Sequence, residues 1–297
     1  MALRCVPRHF LACSMLMLAL LQPLTAKPAE PPRPPGRPSP CSIAYPSDSQ
    51  IAWTCHRVKE GETLWRLFGR HWRDGLRFNR IDRRHIHAGS RLKVPRQVEQ
   101  IADFTPMPAR YRPAESEPKL ILVDLAEQFL GAYEYGRLVF SAPVTTGSPQ
   151  SETPTGAFRI SAAHAFHESS LYTMEQTGTF YPMHFALKFH VDREGVGYWF
   201  HGRDVPGYPD SRGCVGLYDE EMQADYYGRP PDPMLDDAKR LYEWVVGPVP
   251  VAGERNKLLP IADGPAVLII GRTPGTSAPP SEESSVPPRS ARPTPSP

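Results

Sequence analysis

The stretch HGRDVPGYPDSRGCVG, residues 201–216, decides how the rest of the chain is read. An apolar run from Gly197 to Phe200 ends in His201, a Pro- and Gly-rich segment follows, and Cys214 stands directly after a glycine with Ser211 three residues before it. A thiol is mostly protonated at neutral pH, so a nucleophilic cysteine needs a neighbouring imidazole or a positive field. His201 is a candidate base, and Gly202 lets the chain turn directly after it. Gly213 leaves backbone room beside the sulfur, so peptide N–H groups there can turn toward a reacting carbonyl. The same residue types also suit an inert buried cysteine and a satisfied core histidine, and spacing alone does not separate the two.

The segment resembles the signature of the YkuD-like family of L,D-transpeptidase catalytic domains, in which a His-Gly pair precedes a Ser-x-Gly-Cys element. Further motifs in matching order are Ile121 to Leu125 followed by Gln128, Val144 to Gly147, and Thr153-Pro154-Thr155-Gly156-Ala157-Phe158. The resemblance covers residues 119–271 and implies a β-rich catalytic domain there. It further implies Cys214 as nucleophile, His201 as base and the Gly202 carbonyl as the group that orients the imidazole. Gly213 and Cys214 N–H groups would form the oxyanion site, with Ser211 and Arg212 beside the substrate. Two positions depart from the family pattern: Arg212 stands where a histidine is usual, and Gly216 where an arginine or asparagine is usual. Arg212 keeps positive character near the thiol, whereas Gly216 removes a side chain that could hold substrate or buttress the loop.

The activity so implied is peptidoglycan L,D-transpeptidation, with an acyl-enzyme on Cys214, release of D-alanine and transfer to an amine acceptor. The partners are stem peptides and glycan strands, with an envelope protein as a further acceptor, and no nucleic acid. No metal or organic cofactor is needed. A thiol-dependent carboxypeptidase or endopeptidase, and a catalytically silent wall-binding protein, are the alternatives.

Export fits the ends of the chain. Residues 1–26 carry Arg4 and Arg8, an apolar run from Phe10 to Leu21 and a Leu-Thr-Ala close, which reads as a secretory signal peptide. The expected location is periplasmic, an uncleaved N-terminal anchor being the alternative. Residues 28–40 contain seven prolines and residues 272–297 contain eight. Both are poor in apolar residues, so 27–54 reads as a Pro-rich linker and 272–297 as a disordered tail. After loss of Cys5 and Cys13 three cysteines remain, and in an oxidising compartment Cys41 and Cys55 are the natural disulfide pair. Cys214 is then the odd thiol.

Charge is informative by segment. Residues 56–96 hold twelve Lys and Arg against four Asp and Glu, and residues 119–271 hold twelve against twenty. A basic module in an exported protein points to an acidic envelope polymer, to a solvated face, or to attraction between the two segments.

Residues 55–96 read as a short strand, a Gly turn, two short helices and a closing strand. The Gly-x-Thr-Leu-Trp opening and Gly-x-x-Leu-x-Val-Pro close resemble a LysM module, which implies a shallow glycan groove near Gly61, Thr63, Asn79 and Ile81. Residues 97–118, with four prolines, read as a linker. Beyond it, strands are expected at 120–125, 129–135, 138–144, 157–161, 185–190, 196–201 and 266–270, with helices at 219–227 and from Pro233 behind an Asp232 cap. The fold class is α+β, mainly β: a small strand-helix-helix-strand module followed by a β-rich catalytic domain. His164, His167, His184 and His190 follow no metal-ligand spacing, and Tyr181, Phe166, His184 and His190 are candidates for lining the cleft.

Overall fold

The computed structural model describes residues 38–174, 177–249 and 256–275. The expected signal peptide, residues 27–37 of the first linker and residues 276–297 of the tail lie outside the described residues.

Strand β1 (Trp53–Arg57) leads through α1 (Leu64–Phe68) and α2 (Trp72–Asn79) to β2 (Arg91–Pro95), which pairs antiparallel with β1. Thr63 starts α1 by accepting the Arg66 N–H at 3.2 Å. Cys41 and Cys55 are joined by a disulfide with their Cα atoms 5.8 Å apart, which ties the segment ahead of β1 to the strand.

After residue 118 the chain builds β3 (Leu120–Asp124), β4 (Phe129–Glu134), β5 (Arg137–Pro143) and β6 (Gly156–Arg159), then the long hairpin of β7 (Ala162–Thr173) and β8 (Phe180–Val191). Strands β9 (Gly197–Gly202) and β10 (Val215–Leu217), helices α3 (Glu220–Tyr227) and α4 (Asp237–Val246), and strands β11 (Leu259–Pro260) and β12 (Ala266–Ile270) follow. One sheet has the order β5-β4-β3-β12-β6 and the other β10-β9-β8-β7-β11. Pairing is antiparallel except for β3 with β12 and β9 with β10.

Strand β3 explains how these parts assemble. Its Leu-Ile-Leu-Val run is buried on both faces. Ile121 and Val123 join Leu187, Phe189, Phe200 and Tyr242 in the core between the sheets and α4. Leu120 and Leu122 join Leu76, Phe78, Ile101 and Phe104 on the opposite face. A strand apolar on both sides needs two covers. Residues N-terminal to β3 supply the second one.

That requirement overturns both linker expectations for the described residues. Cys41, Ile43 and Tyr45 are buried, and so are Ile101, Phe104, Met107 and Ala114. The prolines in these stretches shape a packed chain, because the apolar residues between them reach the outer face of the β3 sheet.

Charge reinforces the contact. The Arg80 side chain is 1% exposed; it lies 3.0 Å from the Glu127 carboxylate and 4.0 Å above the Tyr45 ring. Arg83 grips Glu220 through two hydrogen bonds of 2.7 and 2.6 Å, and Arg84 reaches Asp204 at 2.9 Å. Part of the basic excess of residues 56–96 is therefore spent on acids of the β-rich region. Asp82, wholly buried, accepts the Val205 N–H at 2.7 Å and the Gln223 side-chain N–H at 2.8 Å, while its own N–H donates to the Val205 carbonyl at 2.8 Å.

Helix α4 and strand β7 differ from expectation, and the short strands β10 and β11 were not expected either. Helix α4 begins at Asp237, not at Pro233. Met234 and Leu235 instead donate their N–H groups to the Glu220 carboxylate at 2.8 and 3.0 Å, outside any helix. Strand β7 was not expected, because its Ala-, His- and Ser-containing sequence has little β-branched character; pairing with β8 supplies the missing support.

Arg80→Ala leaves the Glu127 carboxylate buried without its cation and takes one of two cations from Asp48, which keeps Lys93. A loss of about 3–5 kcal/mol is expected, read as a lower urea midpoint, whereas Arg91→Ala at an exposed site shifts stability by less than about 0.5 kcal/mol. Equal effects of the two would refute the assignment.

Candidate active site

The three-residue parallel pairing of β9 with β10 sets Phe200 opposite Val215 and His201 opposite Gly216. Phe200, Val215 and Leu217 point into the core. Alternation then sends Trp199, His201, Cys214 and Gly216 to the other face. There Trp199, His201 and Cys214 line a cleft of 820 Å³ together with Tyr181, Arg203 and Arg212.

His201 is 3% exposed, and its Nδ1 lies 2.8 Å from the Gly202 carbonyl oxygen. A carbonyl only accepts, so Nδ1 carries the proton and Nε2 keeps the lone pair. Gly202 itself is required by a neighbour: a Cβ there would lie 2.2 Å from Asp219 Oδ2. Asp219 caps α3 by accepting the Met222 N–H at 3.0 Å, and burial pushes its carboxyl up to about 7.

The upstream motifs hold the cysteine turn in place. Thr145 exchanges backbone hydrogen bonds of 3.0 and 2.8 Å with Gly216, Ser211 donates its N–H to the Thr146 carbonyl at 3.0 Å, and Ser148 donates to the Ser211 carbonyl at 2.9 Å. Gln128, wholly buried, accepts the Thr146 N–H at 2.9 Å and donates to the Thr146 hydroxyl at 2.7 Å. Thr153 accepts the Gly147 N–H and donates its hydroxyl to the Gly213 carbonyl, both at 2.9 Å. The motifs quoted from the sequence are thus successive supports of one turn.

Ser211 corrects part of the expectation. Its hydroxyl donates to the Cys214 carbonyl at 2.6 Å and accepts the Gly213 N–H at 3.1 Å. The Gly213 N–H is therefore engaged within the turn and is not an oxyanion donor. The Cys214 N–H is the member of the expected pair that Ser211 does not take. Gly213 keeps a different reason to be glycine, since at φ 110° a Cβ would meet the Tyr198 ring at 2.5 Å.

Arg212 is exposed, and its guanidinium lies 4.5 Å over the Tyr172 ring on the β7–β8 hairpin. The cation whose field bears on the thiol is Arg203 instead. Burial pushes the Cys214 thiol above its ordinary value, against the Trp199 backbone N–H and the Arg203 charge. Burial also holds His201 down at about 3, with Arg203 adding to the effect and the Gly202 carbonyl opposing it. The resting pair is a neutral thiol and a neutral imidazole. A thiolate held in advance by a neighbouring imidazole or positive field is not what this environment favours.

Of the expected glycan residues, Gly61 and Thr63 are exposed. Asn79 and Ile81 are not available, being 0% and 3% exposed. Asn79 donates to the Gly75 and Lys93 carbonyls at 2.9 Å, and Ile81 forms a bridge with Pro206 of the segment after His201. Phe166 and His184 pack on each other at 4.7 Å outside the cleft lining, and His190 packs on Phe158 at 4.8 Å. His164 and His167 lie 5.1 Å apart, and among the described residues no three His, Cys, Asp or Glu gather as a metal site.

Trp199 and Arg203 were missed as site residues. Period-2 counting from His201 would have found both.

Residues 118–269, just over half the chain, match the YkuD family, described as the L,D-transpeptidase catalytic domain. Among solved structures, the L,D-transpeptidase from Stackebrandtia nassauensis is 23% identical, with a TM-score of 0.34, over 54% of this chain and 59% of that one. L,D-transpeptidase 1 of Mycobacterium tuberculosis is 14% identical, with a TM-score of 0.33, over 52% of this chain and 63% of that one. The L,D-transpeptidase of Xylanimonas cellulosilytica is 19% identical, with a TM-score of 0.40, over 74% of this chain and 98% of that one. The chain thus spans about three-fifths of the first two structures. No curated protein matches it.

Burial holds His184 down at about 4, against an ordinary value of 6.5. Below pH 6.5 the unfolded chain binds a proton there that the native state refuses, so stability is lost as pH falls toward 4. Asp219 acts with the opposite sign, so the informative comparison is between a variant and its parent. Relative to the parent, His184→Gln should gain about 2 kcal/mol between pH 7.5 and pH 5 in urea unfolding. A difference that does not change with pH would refute a neutral buried His184.

Proposed function

The chain belongs to the L,D-transpeptidase catalytic domain family, and from that membership we propose that it is an exported peptidoglycan L,D-transpeptidase working through Cys214. The observation that carries the residue assignment is the β9–β10 register, which turns Cys214 and His201 to one cleft face with the imidazole Nδ1–H donated to the Gly202 carbonyl.

In this reading Cys214 Sγ attacks the carbonyl of the third stem residue while His201 Nε2 takes the thiol proton. The neutral resting pair makes attack and proton transfer parts of one step. The Cys214 N–H donates to the developing oxyanion. Collapse breaks the bond to the terminal D-alanine, whose amine takes the proton from His201, leaving a thioester. An acceptor amine then attacks the thioester, gives its proton to His201, and the thiol is restored. The acceptor is another stem peptide or an envelope protein.

Residues 55–96 are proposed as a LysM module that contacts glycan through the exposed Gly61 and Thr63 side, which the strand-helix-helix-strand order supports. A periplasmic location after signal cleavage is proposed from the sequence of residues 1–26, and the Cys41–Cys55 disulfide suits an oxidising compartment.

The test is mass spectrometry of the full chain incubated with a purified disaccharide-tetrapeptide, beside Cys214→Ala. Loss of D-alanine, an adduct on Cys214 and dimeric products are expected, all absent in the variant. Loss without dimers in the presence of an amine acceptor would establish hydrolysis instead. No adduct and no turnover would remove the enzyme reading.

A further inference from the structure

Gly216 is the point of departure. A Cβ at this position would lie 2.1 Å from Arg203 Cγ and 2.4 Å from Arg203 Cδ. The space above Gly216 is therefore filled, by the aliphatic arm of a residue two places after His201. Alternation along β9 directs Arg203 to the same side as His201, and its N–H is fixed by the Leu217 carbonyl at 3.0 Å. The arm crosses the glycine and delivers a guanidinium to the wall of the cleft that holds Cys214.

That guanidinium is only partly partnered. Nη2 donates to the Asp210 carbonyl at 3.2 Å, and the Asp210 carboxylate, half exposed, lies 3.8 Å away. Nε is buried without a hydrogen-bond partner. The Tyr181 ring lies 5.8 Å from the guanidinium carbon, on the same cleft wall. A buried donor left unpaired costs free energy, and a planar cation with open donors suits a carboxylate. The other nearby acid, Asp204, is already taken by Arg84 at 2.9 Å and Gln223 at 3.2 Å.

We propose that Arg203, threaded across Gly216, forms a carboxylate-binding subsite beside Cys214 that recognises a free carboxylate of the donor stem peptide. This rests on the transpeptidase reading for the identity of the ligand. A tetrapeptide donor offers two carboxylates near the reacting carbonyl: that of the terminal D-alanine and that on the side chain of a diamino-acid third residue. The shared chemistry is an anion within reach of both the guanidinium and the sulfur. Gly216 is then a condition of the subsite rather than a lost contact, because any larger residue would displace the arm.

Equilibrium binding tests this independently of turnover. Full-length Cys214→Ala is titrated with disaccharide-tetrapeptide in three forms: both carboxylates free, the terminal one amidated, and the third-residue one amidated. Roughly 10- to 100-fold weaker binding of one amide is expected, the magnitude of a charge-assisted hydrogen bond, and the amide that loses affinity identifies the carboxylate. Adding Arg203→Gln should bring the acid and that amide within about threefold of each other, while binding of the amide itself changes little. Arg203→Lys should keep part of the preference. Gly216→Ala, which leaves Arg203 present but displaced, should reduce the preference too. Equal binding of all three forms by Cys214→Ala, or an acid preference that survives Arg203→Gln in protein that unfolds like its parent, would overturn the subsite. Absence of turnover by the chain with Cys214 intact, with the acid preference present in Cys214→Ala, would sink the enzyme reading and leave the carboxylate site standing.

Discussion

The short parallel pairing of β9 with β10 is the constraint on which the site depends. Three residue pairs fix the phase of two strands, and phase decides face. Phe200, Val215 and Leu217 are committed to the core, so His201, Cys214 and Gly216 have one direction left. A slip of one residue would turn the thiol into the sandwich and Val215 into the cleft. The supports around the turn, from Gln128 through Thr146 to Ser211 and from Thr153 to Gly213, hold that phase with buried hydrogen bonds. Each engages a backbone group that would otherwise be an unpaired polar atom.

A second constraint comes from burial of the cleft wall. Desolvation keeps His201 neutral and raises the Cys214 thiol, so neither group is charged at rest near neutrality. In the proposed reaction, charge is therefore created during the chemistry. The fixed dipoles and the Arg203 guanidinium then have something to act on as the thiol gives up its proton. In that reading the Gly202 carbonyl takes the orienting role that a carboxylate plays in many triads, without adding a buried negative charge.

The N-terminal segment is bound into the same body by a different logic. Strand β3 has no polar face, so Leu120 and Leu122 require partners, and Phe78, Ile101 and Phe104 provide them. Arg80, Arg83 and Arg84 then find acids on the β-rich side, and Asp82 pairs with Val205 next to the Arg203 stretch. The segment therefore supports the loop between His201 and Cys214 in addition to any glycan contact its exposed side makes. Neither Asn79 nor Ile81 is open to a groove: Asn79 is engaged inside its own segment by Gly75 and Lys93, and Ile81 is enclosed by the bridge to Pro206.

Local pattern was enough to mark the β-strands at 120–125, 129–135 and 138–144, the Asp219-capped helix and the His-Gly and Ser-x-Gly-Cys elements, because period, caps and turn residues are written in neighbouring positions. It misjudged residues 97–118, where prolines suggested solvated chain and the deciding fact was the bare outer face of a strand still to come. It likewise missed that α4 would start late, because a carboxylate seventeen residues earlier, Glu220, captures the preceding backbone. The sequence by itself determined the candidate reactive groups: a thiol, an imidazole and the glycines that let the chain turn beside them. Tertiary structure alone decided their ionisation, the engagement of the Gly213 N–H and the passage of Arg203 over Gly216. Those depend on what lies across the cleft, and distance in space is not encoded in local spacing.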